Sequence, residues 1–333
     1  MLYAAFTRRH AIVCLLAGVA ACSRTTTVAP NSSAEPRPQA IVFEPGKSYR
    51  GAHGYIEYMA GDAPIIISAP HGGSLAPSSI PDRTPQACGG GATTTTDANT
   101  VDLVRAMRDR YFARFGHYPH VIVAHISRRK LDANRSESEA ACGNGEAETA
   151  LNEWHAYIDA AKRAVIQSFG KGWYMDIHGH GHKIQRLELG YLLSTSEMEA
   201  SDDDLGKVPP AQSSIATIAK SSSLNLAQLL RGPTSLGTLY ANNSFPAVPS
   251  AQDPVPNGAP YYAGGENTRR HACGAEASSF GGVAGGPICG VQIEVNYAGV
   301  RDNAANRNRF GDATAIVLEQ YLSTLWGLRL TPR

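Results

Sequence analysis

Short apolar runs alternate along this chain with longer stretches in which apolar residues recur every three or four positions. The first run, Ala63–Ala69, stops at Pro70 and predicts a buried strand. From Asp97 to Phe115, Val101, Leu103, Val104, Met107, Tyr111 and Phe112 fall at helical spacing. His120–Ile126 predicts a second strand. Glu146–Phe169 predicts a long helix with Leu151, Trp154, Tyr157, Ile158, Ala161 and Val165 on one face. Gly172–His178 and Leu187–Leu193 read as strands, Ile215–Leu230 as a helix, Ile288–Val295 as a fifth strand and Asn303–Leu325 as a closing helix. The stretch 233–286 is rich in Gly, Pro and Asn and has no sustained period. A connection that long carries function or packing of its own. Strands alternating with helices predict one α/β domain: a mostly parallel mixed sheet flanked by helices on both faces.

The N-terminal residues do not fit that pattern. Arg8 and Arg9 precede an apolar stretch, Ala11–Ala21, that is too short to span a membrane comfortably. Val19-Ala20-Ala21-Cys22 resembles a bacterial lipobox, with Cys22 the lipidated first residue of the mature chain; a plain secretory signal is the alternative. The expected organisation is a signal peptide over 1–21, a Ser/Thr/Pro-rich tether over 22–39 and the domain over 40–333. On this reading the protein is exported and held at a membrane by its lipid, on the outer membrane facing the periplasm. The whole chain carries 30 basic and 29 acidic residues, and loss of Arg8 and Arg9 with the leader leaves 28 basic. A balance so near neutral gives no electrostatic case for nucleic acid. No protein partner is inferred.

Six cysteines include Cys14 in the leader and Cys22. The other four, Cys88, Cys142, Cys273 and Cys289, allow three pairings, and export favours two disulfides. Cys88 and Cys142 lie in Gly-rich loops flanking one candidate site, and Cys273 with Cys289 closes a short loop. Cys88–Cys142 and Cys273–Cys289 are therefore expected. A four-cysteine zinc site lacks any C-x-x-C spacing.

In open α/β sheets ligands bind beyond the carboxyl ends of strands, and the polar clusters follow that rule. Asp176-Ile177-His178-Gly179-His180-Gly181-His182 puts three histidines just past the third strand, with His178 nearest the strand end. Pro70-His71-Gly72-Gly73 follows the first strand. Asp97 opens a helix after four threonines, so metal ligand and N-cap are both open readings. Ser127 to Arg135 places Arg128, Asp132, Asn134 and Arg135 past the second strand, and guanidinium groups bind carboxylates. Glu294 sits in an apolar strand, where a catalytic base or a structural ion pair is expected rather than an idle acid. His180 and His182 fit a wet loop near the mouth. Tyr261 and Tyr262 read equally as pocket lining or core.

These pieces together resemble the N-formylglutamate amidohydrolase family, whose relatives include zinc carboxypeptidases and succinylglutamate desuccinylases. The matching segments are P-H-G-G at 70–73, T-D at 96–97, S-R-x-x-x-D-x-N-R at 127–135, D-I-H-G at 176–179, Y-A-G-G-E-N-T-R-R-H at 262–271 and Q-I-E-V at 292–295. The resemblance implies a phosphorylase/hydrolase-like α/β fold and one catalytic zinc ion held by His71, His178 and an acid. Relatives often take that acid from a few residues after the first histidine; here none appears until Asp82. Asp97 is the first substitute and Asp82 the second. Asp176 and Asp132 would orient ligand histidines from behind. Glu294 would be the general base. Asn134 and Arg135 would hold a substrate carboxylate or the developing oxyanion, with Arg128 a further candidate for either task. Arg269 or Arg270, beside Gly264 and Gly265, would add a second carboxylate site. The implied activity is cleavage of a C–N amide bond in an N-acyl amino acid or γ-glutamyl compound with a free carboxylate. A carboxypeptidase-like peptidase and a surface lipoprotein that only binds acidic ligands are the alternatives.

Overall fold

Eight strands form one sheet in the order β1-β2-β4-β3-β5-β8-β6-β7 in the computed structural model, which describes residues 42–280 and 285–332. The strands are β1 (Ser48–Arg50), β2 (Ile56–Met59), β3 (Ile65–Ala69), β4 (His120–Ala124), β5 (Gly172–Gly179), β6 (Leu187–Gly190), β7 (Ala247–Val248) and β8 (Ile288–Val295). The central run β4-β3-β5-β8 is parallel. Antiparallel pairing enters at the sides, where β1 meets β2, β2 meets β4, and β6 meets β8. The sheet is therefore mixed, with parallel strands at its centre. The expected leader, Cys22 and tether lie outside the described residues. Among the described residues no helix is long and apolar enough to cross a membrane.

The alternation of each strand feeds two cores. Ile65, Ile67, Trp173, Met175, Ile177, Val291 and Ile293 face one layer, with Leu103, Val104 and Met107 of helix α1 (Thr100–Phe115) and Phe310, Val317 and Tyr321 of the closing helix Ala304–Trp326. Ile66, Ile122, Ala124 and Tyr174 face the other. There, helix α2 (Glu137–Ala141) lies ahead of helix α3 (Gly145–Phe169), which packs Trp154, Ile158, Ala161 and Val165. A sheet covered on both faces gives the near-continuous apolar strands seen in the sequence.

Three elements differ from the sequence pattern. The stretch 215–230 is two short helices, Ala216–Ser221 and Leu226–Arg231. Asn225 interrupts it by accepting the Gln228 N–H in a capping box, which starts a new helix. Leu187–Leu193 stops being a strand at Gly190, where a Cβ would lie 2.5 Å from the Gly264 nitrogen. The hairpin β1–β2 has no counterpart among the expected strands. Both disulfides, Cys88–Cys142 and Cys273–Cys289, are present.

Candidate metal centre

The parallel register brings the polar strand ends onto one edge. Ser68 lies opposite Asp176, Asp176 opposite Gln292, and His178 opposite Glu294. On the antiparallel side Glu188 of β6 faces Glu294. His71 follows β3 directly. The chain beyond β4 continues as two parallel bridges, Leu75 with Ile126 and Gly73 with Ser127. These fix the Pro-His-Gly-Gly turn against the Arg128–Arg135 segment. Gly73 is needed there because a Cβ would come within 2.3 Å of the His125 backbone.

His71, Asp97 and His178 are all buried and converge. The Nδ1 atoms of His71 and His178 each lie 3.3 Å from the same oxygen, Asp97 Oδ2. The far nitrogens are tied down. His71 Nε2 is 2.6 Å from Asp132 Oδ1 and His178 Nε2 is 2.8 Å from Asp176 Oδ2. An ionised carboxylate only accepts, so each Nε2 carries the proton and each Nδ1 of a neutral ring presents a lone pair. His71 Nδ1 is buried and makes no hydrogen bond. That orphaned acceptor, a second Nδ1 and a carboxylate are the donor set of a two-histidine, one-carboxylate metal site. The spacing fits as well. Ligand bonds of ~2.0–2.1 Å in a tetrahedron separate the donor atoms by about 3.3 Å.

Charge points the same way. Burial pushes the Asp97 carboxyl up, but His178 and His71 outweigh it and hold the group well below its ordinary value. Burial also raises Asp132 and Asp176, and their histidine partners reverse this in both. Burial pulls His178 down, and Asp176, Asp97 and Glu294 more than restore it. Protons and arginines thus balance a cluster of buried carboxylates that a dication would also balance.

Glu294 stands beside the trio, its Oε1 4.0 Å from His178 Nδ1 and bonded by Gln292 Nε2 at 3.0 Å. Burial pushes its carboxyl up to about 8, with His178 opposing the rise and Asp97 and Glu188 adding to it. Arg128 sits over the ligands, with Nε 3.0 Å from Asp132 and NH1 3.6 Å from Asp97. Arg135 makes no ion pair among the described residues, only a hydrogen bond to the Asn134 carbonyl.

Other expected site residues are placed differently. Asn134, expected at the substrate, is buried, with Nδ2 toward Gln292 and Oδ1 accepting the Asn267 N–H at 2.8 Å. It braces the site from inside. Gly265 serves that brace, since a Cβ would lie 2.4 Å from Asn134 Nδ2, and Gly264, at φ +118°, packs on Leu192. Arg269 pairs with Glu276 at 3.0 Å, and the Arg270 charge acts on Asp159, Lys162 and His271 beside α3. Asp82, the second choice as ligand, is half-exposed and paired with Lys130. Asp97 does not cap α1; Asn99 holds that position, and the Asp97 side chain instead accepts the Gly179 N–H. His180, expected on a wet rim, is buried, with Nε2 on the Arg186 carbonyl and Nδ1 accepting the His182 N–H.

Four further residues, without an expected role, complete the surroundings. Arg83 is buried and reaches Asp132 at 3.7 Å. Ser68 donates to Asp176 at 2.5 Å, and Asn267 donates to it at 3.2 Å. Glu188 is buried and holds His182 Nδ1 at 2.7 Å. Glu188 carried the same signal as Glu294, an acid inside an apolar strand.

A mixed α/β sheet with a histidine–histidine–aspartate cluster at its carboxyl edge is the class of molecule these observations define. No family model and no curated protein matches the chain. Among solved structures it is similar to N-formylglutamate amidohydrolase from Ralstonia eutropha JMP134, at 12% identity and a TM-score of 0.45, over 81% of this chain and 97% of that one. It is also similar to gene product Atu2144 from Agrobacterium tumefaciens, at 15% identity and a TM-score of 0.41, over 81% and 95%. Likenesses so distant assign no residue its role; the roles below rest on the geometry of the site.

Proposed function

We propose that this protein is a metal-dependent hydrolase of C–N amide bonds, acting on an N-acyl amino acid or related compound with a free carboxylate. The observation that carries the reading is the opposed pair of histidines. Each is held from behind by a buried carboxylate, and each turns Nδ1 toward Asp97. His71, His178 and Asp97 would hold one zinc ion. Such an ion polarises an amide carbonyl and lowers the pKa of water from ~16 to about 7.

The protein's own residues divide the remaining work. Glu294 takes a proton from the attacking water and passes it to the leaving nitrogen as the C–N bond breaks. Its carboxyl stands beside His178, with Gln292 Nε2 holding Oε1. Arg128, spanning Asp97 and Asp132, keeps a positive charge over the ligands and faces the developing oxyanion. Arg135 offers its guanidinium to the substrate carboxylate. Asp132, Asp176, Asn134, Asn267 and Gln292 hold the imidazoles and Glu294 in place. Export through the N-terminal leader and anchoring through a lipid on Cys22 complete the proposal. A periplasmic enzyme of this kind would meet peptides and cell-wall fragments.

The test is hydrolysis by the purified, zinc-loaded protein across N-acyl amino acids, γ-glutamyl peptides and α-peptides. Release of amine from the first two classes supports the reading. Cleavage of α-peptides alone moves the assignment to a peptidase, and tight binding of acidic ligands without turnover moves it to a binding protein.

A further inference from the structure

The mouth of the site carries an aromatic platform that the chemistry above does not use. Tyr262 is 46% exposed, and its ring stacks on His182, with centroids 5.0 Å apart and planes 10° from parallel. One buried carboxylate fixes both layers. Glu188 Oε1 is 2.7 Å from His182 Nδ1, and Glu188 Oε2 accepts the Tyr262 N–H at 3.1 Å. Glu188 lies directly across the sheet from Glu294. Through Glu188, Tyr262 is tied to the strand position paired with Glu294, at the edge that carries the reaction centre. Two more large apolar side chains stand exposed on segments leaving the same strand ends, Ile184 after β5 and Tyr297 after β8.

The cations near this rim are engaged or screened, beginning with Arg128, which Asp132 and Asp97 hold. Arg186 is bound by Asp253 and the Pro256 carbonyl. Arg301 spends its nitrogens on the carbonyls of Ala98, Val295 and His180. Lys183 is out in solvent, where its charge is screened. A carboxylate side chain entering here would meet Glu188, whereas a flat apolar one would meet a ring already held in place. An aromatic surface fixed in advance binds without the cost of ordering it.

We propose that the Tyr262–His182 pair is a stacking subsite, and that the site prefers substrates whose amino-acid half carries an aromatic side chain over those carrying an acidic one. This deepens the hydrolase reading and rests on it for the position of the scissile bond; the binding preference stands without turnover.

The experiment is calorimetric titration of the full chain carrying Glu294→Gln and loaded with zinc, using N-acetyl-L-phenylalanine and N-acetyl-L-glutamate. The phenylalanine compound should bind about tenfold more tightly. Adding Tyr262→Ala should remove that difference, and adding Tyr262→Phe should keep it. If the alanine variant loses its zinc stoichiometry or its circular dichroism, His182→Ala removes the lower ring instead and should give the same loss. Equal or tighter binding of the glutamate compound, binding of neither, or a preference that survives loss of the platform overturns the proposal. Hydrolysis is measured in parallel on the protein with Glu294 intact. A preserved aromatic preference with no hydrolysis of either compound would count against the hydrolase reading and leave this subsite standing.

Discussion

Replacing Asp176 or Asp132 by Asn keeps the volume of each side chain and removes the negative charge behind one imidazole. In both variants the amide can no longer hold the histidine as firmly with its proton on Nε2. Zinc affinity should fall ten- to a hundredfold, or about 1.4–2.8 kcal/mol. The two should separate in the stability of the metal-free protein. Asp176 accepts from Ser68, Asn267 and His178, and of these only the imidazole carries charge, which it can shed as a proton once the carboxylate is gone. Its replacement should cost about 1–3 kcal/mol. Asp132 also receives Arg128 Nε at 3.0 Å and the buried Arg83 at 3.7 Å, besides the Asn134 N–H at 3.1 Å. Asp132→Asn leaves guanidinium charge uncompensated in the interior and should cost about 3–5 kcal/mol. Competition with a fluorescent zinc chelator reads the first quantity, and urea unfolding of the stripped protein reads the second. Wild-type zinc affinity in both variants, or equal stability losses, would refute the assignment of the two carboxylates.

Three further outcomes are expected. Burial lowers His120 to about 4, where its Nδ1 accepts from Tyr58 and Gly61. The unfolded chain then takes up that proton first, so this stability is complete above pH ~6.5 and is lost as pH falls toward 4, by about 2 kcal/mol between pH 7 and 5; His120→Gln should flatten the urea midpoint over that range by this amount. Cys273 and Cys289 close a loop with a sequence separation of 16, and replacing both by Ser should lower unfolding free energy by about 3 kcal/mol, measured against the oxidised parent. Gly265→Ala forces a Cβ into Asn134 and should weaken zinc binding in the chelator assay without touching a ligand, whereas unchanged affinity would remove Asn134 from the site's support.

Much of the framework was legible because long apolar runs leave few alternatives. The strand Ile288–Val295 has the bounds its sequence predicts, and the helices over 100–115 and 145–169 begin within a few residues of theirs. The edge hairpin escaped notice because β1 is three residues long and partly exposed, so it has no apolar period to read. At the site, the strand-end rule collects His71, His178 and Glu294 without any knowledge of contacts, because parallel strands share one carboxyl edge. It does not say which way an amide or guanidinium turns. Asn134 and Arg269 resemble ligand-binding residues in sequence, yet local partners, the Asn267 N–H and Glu276, engage them first. His180 looked wet because glycines flank it, but the carbonyl of Arg186 six residues on draws it inside. Glu188 is legible in the same way as Glu294, as an acid between two leucines in Leu187-Glu188-Leu189.

The proposed function stands or falls on whether His71, His178 and Asp97 bind a metal beside a base, Glu294. Metal analysis of the purified protein, paired with amide hydrolysis by the parent and by Glu294→Gln, tests it most directly. One zinc per chain in both proteins, turnover in the parent and its loss in the variant are expected. A parent that neither holds zinc nor gains activity when zinc is added, or a Glu294→Gln protein as active as the parent, would contradict it.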